Sequence, residues 1–200
     1  MSDLDPEVLL PLLRGRLGQP YLFVAECEST QRLVSPTGPE GATVAADVQT
    51  EGRGRLGRTW EAPARRGLLC SVLLRPTPPM ALWPELSLVA GDAVAAALGA
   101  ETGVSAKLSH PNDVLIDGRK VAGILPEASG GRVVLGIGVN VNQSVGELPL
   151  GVAKPPTSLR IETGREWARA SLLATILVEL EEHYNAWQRL HTAVRPGAAG

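Results

Sequence analysis

The chain has 200 residues, 44% of them hydrophobic and 20% charged, an ordinary globular balance that argues against an intrinsically disordered segment. A formal net charge of −2 gives no general attraction for nucleic acid, so an anionic partner must be met by local clusters of charge. Met1–Gly18 has no apolar run behind a basic start, the longest apolar stretches fall short of a bilayer span, and Cys27 and Cys70 lie far apart without a CxxC. These features predict a cytoplasmic protein with two buried free thiols and no membrane partner.

In chain order, Asp5-Pro6 opens a short apolar-faced helix that Pro11 keeps short. Residues 21–25 read as a strand, Glu28-Ser29-Thr30-Gln31 as the cap of a second short helix, and 42–48 as a buried strand. A glycine- and arginine-rich loop over 49–66 precedes an apolar strand over 68–74 and a helix over 82–98. Short strands follow at 104–108 and 114–116. Asp117-Gly118 then signals a two-residue hairpin into a strand over 120–128. Ser129-Gly130-Gly131 turns the chain into a strand over 133–141, and leucines at helical spacing mark a long helix over 168–190. Successive hairpins favour antiparallel pairing, so the expected fold is α+β: a mostly antiparallel or mixed sheet covered by helices, one domain over 1–192 and a frayed tail over 193–200.

Gly52-Arg53-Gly54-Arg55-Leu56-Gly57-Arg58-Thr59-Trp60 carries the strongest chemical signal. Three guanidinium groups alternate with glycines that let backbone approach a ligand, a combination suited to wrapping carboxylate or phosphate. The stretch also fits G-x-G-x-x-G. A dinucleotide loop must open directly into a helix, however, and Trp60-Glu61-Ala62-Pro63 does not. A solvated basic loop, or one that binds RNA phosphates, is the plain alternative.

A second cluster runs from His110-Pro111-Asn112-Asp113 to Lys120-Val121-Ala122-Gly123-Ile124-Leu125-Pro126-Glu127. The Asp117-Gly118 hairpin would hold Asn112 and Asp113 near Lys120 on adjacent strands, where amide, carboxylate and ammonium could serve an activated anion beside a magnesium–nucleotide. Only three lysines occur, Lys107, Lys120 and Lys154, so one set among apolar strand residues is unusual. A surface hairpin with a snorkelling lysine is the bland reading. No H-E-x-x-H or G-x-S-x-G is present to support a zinc enzyme or a serine hydrolase.

Gln49-Thr50-Glu51 followed by the arginine–glycine nonamer resembles the Q-T-x-G-R-G-R-x-G-R-x-W signature of biotin protein ligases. The second cluster resembles that family's K-W-P-N-D…K-x-A-G-I-L-x-E motif, and Gly136-Ile137-Gly138-Val139-Asn140-Val141-Asn142 its G-I-G-x-N-x-N strand. Glu28-Ser29-Thr30-Gln31 resembles its S-T-N segment, with Gln31 for the usual Asn, and Thr157-Ser158-Leu159 echoes a further short motif. The ordered motifs span residues 24–190. One departure stands out: Ser109-His110 replaces the usual Lys-Trp, removing a positive charge and an aromatic face. Lys107, two residues earlier on the same strand face, is the candidate replacement.

The resemblance implies a class II synthetase-like biotin/lipoate ligase catalytic domain that activates biotin with ATP and Mg2+ to biotinyl-5′-AMP. It further implies transfer of biotin to a lysine of a biotin carboxyl carrier protein, the acetyl-CoA carboxylase subunit. Catalysis would fall to Arg55, Lys120 and Asp113, with Asp113 positioning the metal. Biotin would meet Ser29, Thr30, Gln31, Gln49, Gly52, Arg53, Gly54, Arg55, Lys120 and Gly123. ATP would meet Arg55, Arg58, Trp60, Asn112, Asp113, Lys120 and Asn140. The family's N-terminal DNA-binding domain and C-terminal β-barrel are expected to be absent, leaving no DNA partner, while a homodimer stays open. A weakened biotin or adenylate binder and a lipoate-type ligase are the rival readings.

Overall fold

The computed structural model describes residues 1–192, so the expectation for the 193–200 tail lies outside the described residues. Seven strands form one sheet in the order β1-β2-β3-β7-β6-β5-β4. They are β1 (Tyr21–Cys27), β2 (Thr43–Gln49), β3 (Gly67–Leu74), β4 (Ala106–Ser109), β5 (Asp113–Ile116), β6 (Arg119–Ser129) and β7 (Arg132–Asn140). Every neighbouring pair is antiparallel except β1 with β2, which run parallel, so the sheet is mixed. The parallel pair is joined through α2 (Thr30–Leu33), which supplies the crossover that parallel strands require.

Alternation along β7 assigns the two faces. Val133, Leu135, Ile137 and Val139 enter the main core, while Gly136, Gly138 and Asn140 face the other way into a cavity. The core face is covered by α1 (Pro6–Leu9), α3 (Leu86–Thr102) and α5 (Arg169–Thr192). All eight residues of β3 are buried, as expected of a central strand covered on both sides.

The helix expected over 82–98 starts later, because Pro84 lies in a 3₁₀ stretch, Met80–Glu85, that leads into α3. It ends at Gly103 in the left-handed region, φ 77°. Met80–Thr102 thus makes 23 helical residues that are long and apolar enough to cross a bilayer, contrary to the sequence reading. Ala90, Ala93, Val94 and Ala97 are wholly buried, so the apolar character serves the core. Cys70 is buried as expected, whereas Cys27 is only half-buried. At the start of α5 the buried Arg169 binds Asp47 at 2.8 Å and donates from Nε to Asp3 at 2.9 Å, fastening the N-terminal segment to the sheet.

Candidate active site

The non-core face of the sheet holds a cavity of about 470 Å³ between the arginine–glycine loop, β5, β6, β7 and the segment after β7. Five cationic side chains line it, Arg53, Arg55, Arg58, Lys120 and Lys154, against the two carboxylates of Glu61 and Asp113. A chain with a net charge of −2 therefore concentrates positive charge in one hollow.

The loop folds as a small antiparallel flap. Trp60 N donates to Gly52 O at 2.9 Å and Gly54 N to Arg58 O at 2.7 Å, with Leu56 at the tip in the left-handed region, φ 58°. Arg53 fixes the flap to β6 through Glu127 at 2.7 Å, and Arg55 reaches Asn112 Oδ1 at 3.5 Å. Gly52 stands at the base of the flap, outside the cavity lining. Its place is set by backbone crowding, since a Cβ there would meet Trp60 O at 2.1 Å.

Trp60 lies over two glycines that are register partners on adjacent strands, Gly123 and Gly138. A Cβ at either would come within 2.8 or 2.5 Å of the indole, so the pair forms a flat bed that only glycine permits. Among the described residues the buried indole Nε1–H has no hydrogen-bond partner, a donor left unused. Lys120 Nζ stands 5.4 Å from the ring centroid.

A β-bulge puts Lys120 on the cavity side. The register passes from Val114↔Ala122 to Leu115↔Lys120, which leaves Val121 as an extra residue. Without it, Lys120 and Gly123 would fall on opposite faces, three residues apart on an alternating strand. With it, Lys120 Nζ meets Asp113 Oδ1 at 2.7 Å. The other oxygen, Oδ2, is held at 2.8 Å by Lys154. Burial alone would raise the Asp113 pKa, but the hydrogen bonds from Lys120 and Lys154 outweigh it and hold the carboxyl below the usual range.

Those contacts bear on a divalent cation. Among the described residues no three His, Cys, Asp or Glu side chains gather to hold a metal, and both oxygens of Asp113 already face ammonium groups. This donor set does not fit a protein-held Mg2+.

The inner end of the cavity is neutral. Thr30 donates from its backbone N to Gln49 Oε1 at 2.7 Å, its Oγ1 donates to the same oxygen at 2.9 Å, and Oγ1 also lies 2.7 Å from Ser71 Oγ. Ser29, buried beside it, gives α2 no side-chain cap, so the hydroxyl is not spent as the sequence suggested. Gln31 donates from Nε2 to Leu125 O at 3.1 Å and crosses over Gly136. Cys70 also lines the wall, with burial pushing its thiol up to about 12, which keeps it protonated.

Of the expected site residues, Ser29, Thr30, Gln31, Gln49, Arg53, Gly54, Arg55, Arg58, Trp60, Asn112, Asp113, Lys120, Gly123 and Asn140 all line this cavity. Asn112 and Asn140 are largely occupied by the fold. Asn112 Nδ2 donates to Ile124 O at 2.9 Å and Asn140 Nδ2 to Thr157 O at 2.9 Å. Lys107 is exposed and off the wall, so it does not replace the motif lysine. Sequence reasoning missed Ser71 and Lys154. Ser71 is hidden in an apolar strand, and the one signal for Lys154 was the scarcity of lysine.

A family model for the biotin/lipoate A/B protein ligase family matches residues 25–144. The bifunctional ligase/repressor BirA of Bacillus spizizenii is 35% identical over 189 residues, covering 90% of this chain. The biotin–[acetyl-CoA-carboxylase] ligase of Mycobacterium tuberculosis is 39% identical over 173 residues, covering 78% of this chain. The chain spans 58% and 59% of the lengths of these two relatives. Among solved structures, the biotin protein ligase of Aquifex aeolicus in complex with biotin and ATP superposes with a TM-score of 0.77 at 37% identity, covering 86% of this chain and 72% of that one. With a cationic flap, a strand-borne lysine and a polar inner pocket around one cavity, the chain belongs to the biotin/lipoate A/B protein ligase family.

Proposed function

We propose that this protein couples ATP to biotin, forms biotinyl-5′-AMP, and passes the biotinyl group to a lysine of a biotin carboxyl carrier protein. The observation that carries the reading is the cavity itself, in which a neutral hydrogen-bonding end adjoins a cationic end.

Biotin's carboxylate must attack the α-phosphate of ATP, and both are anions. Two unit charges about 4 Å apart repel by about 4 kcal/mol at an effective dielectric of about 20, so fixed positive groups must lie between them. Lys120 and Arg55 take that role, with Arg58 on the phosphates. Ser29, Thr30 and Gln49 hold the ureido ring by directional hydrogen bonds, while Trp60 on its glycine bed walls the apolar part of the ligand and excludes water. The flap over Gly54 and Arg55 shields the mixed anhydride until an acceptor amine displaces AMP.

Magnesium is read as a companion of the nucleotide's phosphates, because Asp113 is occupied by two ammonium groups. No step is assigned to it. Two free cysteines without a disulfide suit the cytoplasm. DNA is not part of this reading, and a second copy of the chain is not required by it.

The test is incubation with α-labelled ATP, biotin and a carrier domain. Labelled biotinyl-AMP and a biotinylated carrier are expected, with no adenylate when lipoate replaces biotin. Biotin binding without pyrophosphate release, or a preference for lipoate, would reject the reading.

A further inference from the structure

We propose that Lys154 is a second phosphate-contacting catalytic lysine, delivered by a loop to the place that Ser109 leaves without a charge. The inference rests on the function proposed above and names how the site completes its positive charge.

Backbone pairing fixes the loop's return. Lys120 N donates to Pro155 O at 2.7 Å and Thr157 N donates to Lys120 O at 2.8 Å, so the segment adds to the sheet at the lysine itself. Residue 154 is therefore delivered to the mouth of the cavity. Its Nζ lies 3.1 Å from Ser109 Oγ and 2.8 Å from Asp113 Oδ2. An ammonium carried by a longer side chain at 109 would occupy the same neighbourhood.

The charge count favours a ligand over a structural tie. One carboxylate balances one ammonium, yet Asp113 serves two, and all three side chains are mostly shielded from water. An excess of positive charge in such a place is unfavourable for the empty fold and is relieved by an incoming anion. The free length of the loop supports the same reading. Leu150 and Val152 are exposed, so Lys154 is not held by loop packing. It is held by Asp113, by the Ser109 hydroxyl and by the two backbone bonds at Lys120.

The experiment compares the parent protein, Lys154→Ala, and Lys154→Ala combined with Ser109→Lys. Single-turnover formation of biotinyl-AMP is the readout, with the biotin Kd measured by calorimetry in each. We expect Lys154→Ala to slow adenylation by about 10²-fold, the scale for removing one fixed group that stabilises developing charge, while the biotin Kd holds. Ser109→Lys should restore most of the rate. That recovery separates charge from tethering, because a strand-borne ammonium cannot hold the loop. An unchanged rate in Lys154→Ala, or a loss that Ser109→Lys does not repair, overturns the inference. A parent protein that forms no biotinyl-AMP defeats the proposed function, and this inference falls with it.

Discussion

The two ends of the cavity are built differently. The inner end is wired by short hydrogen bonds among neutral groups, with Thr30, Gln49 and Ser71 linking α2, β2 and β3. The outer end is assembled from a flap, a bulged strand and a returning loop, and its charges are tied through Asp113, Asn112 and Glu127. Directional bonds among neutral groups suit recognition, whereas loosely tied charges can be redistributed around a reacting anion. Substitutions at the outer end should therefore affect turnover, and those at the inner end affinity.

The largest effect is expected at Lys120. Lys120→Ala should cut the rate of adenylation by about 10²- to 10³-fold with little change in the biotin Kd, read by single-turnover kinetics and calorimetry. A large loss of affinity at constant rate would erase the contrast between the two ends. Gly138→Val comes next. Its branched side chain collides with the Trp60 indole, which already lies 2.5 Å from the position of a Cβ, so a loss of about 1–3 kcal/mol in unfolding free energy is expected from denaturant titration.

Thr30→Val tests the inner end. It removes the Oγ1 bonds to Gln49 and Ser71, each worth about 0.5–1.5 kcal/mol, and should weaken biotin binding by about tenfold while single-turnover adenylation at saturating biotin is kept. A slowed chemical step would show that the inner end also acts in turnover.

The smallest effect concerns the scaffold and pH. Glu181 accepts from the backbone of Arg16 and pairs with its guanidinium at 3.0 Å. Burial alone would raise its pKa, but the Arg16 and Leu17 hydrogen bonds hold it below the ordinary value. A carboxyl depressed in the folded state stabilises above its unfolded pKa of about 4.3, and that contribution fades as pH falls through the folded value. Glu181→Gln should therefore lower stability at pH 7 and converge with the parent in acid, as read by thermal unfolding against pH.

Much of the frame was legible because its signals are local. Asp117-Gly118 announced the hairpin, Ser129-Gly130-Gly131 the turn into β7, and leucine spacing α5. The arginine–glycine motif marked the flap before any geometry was known. Three features were not legible, since each depends on contacts distant in sequence. The parallel pairing of β1 with β2 follows from the crossover through α2. The Val121 bulge that turns Lys120 into the cavity leaves no trace in an otherwise regular strand pattern. Lys154 enters only because residues 155–157 return to pair beside Lys120, while Lys107, nearer in sequence to Ser109, remains in solvent.

In the proposed reaction Arg55, carried by the flap, and Lys120, carried by β6, act on the same pair of anions. A double-mutant cycle with Arg55→Ala and Lys120→Ala, read by the single-turnover rate of biotinyl-AMP formation, tests this directly. Shared action predicts a coupling energy above about 1 kcal/mol, with the double variant losing less than the product of the single losses. Losses that simply multiply would contradict it.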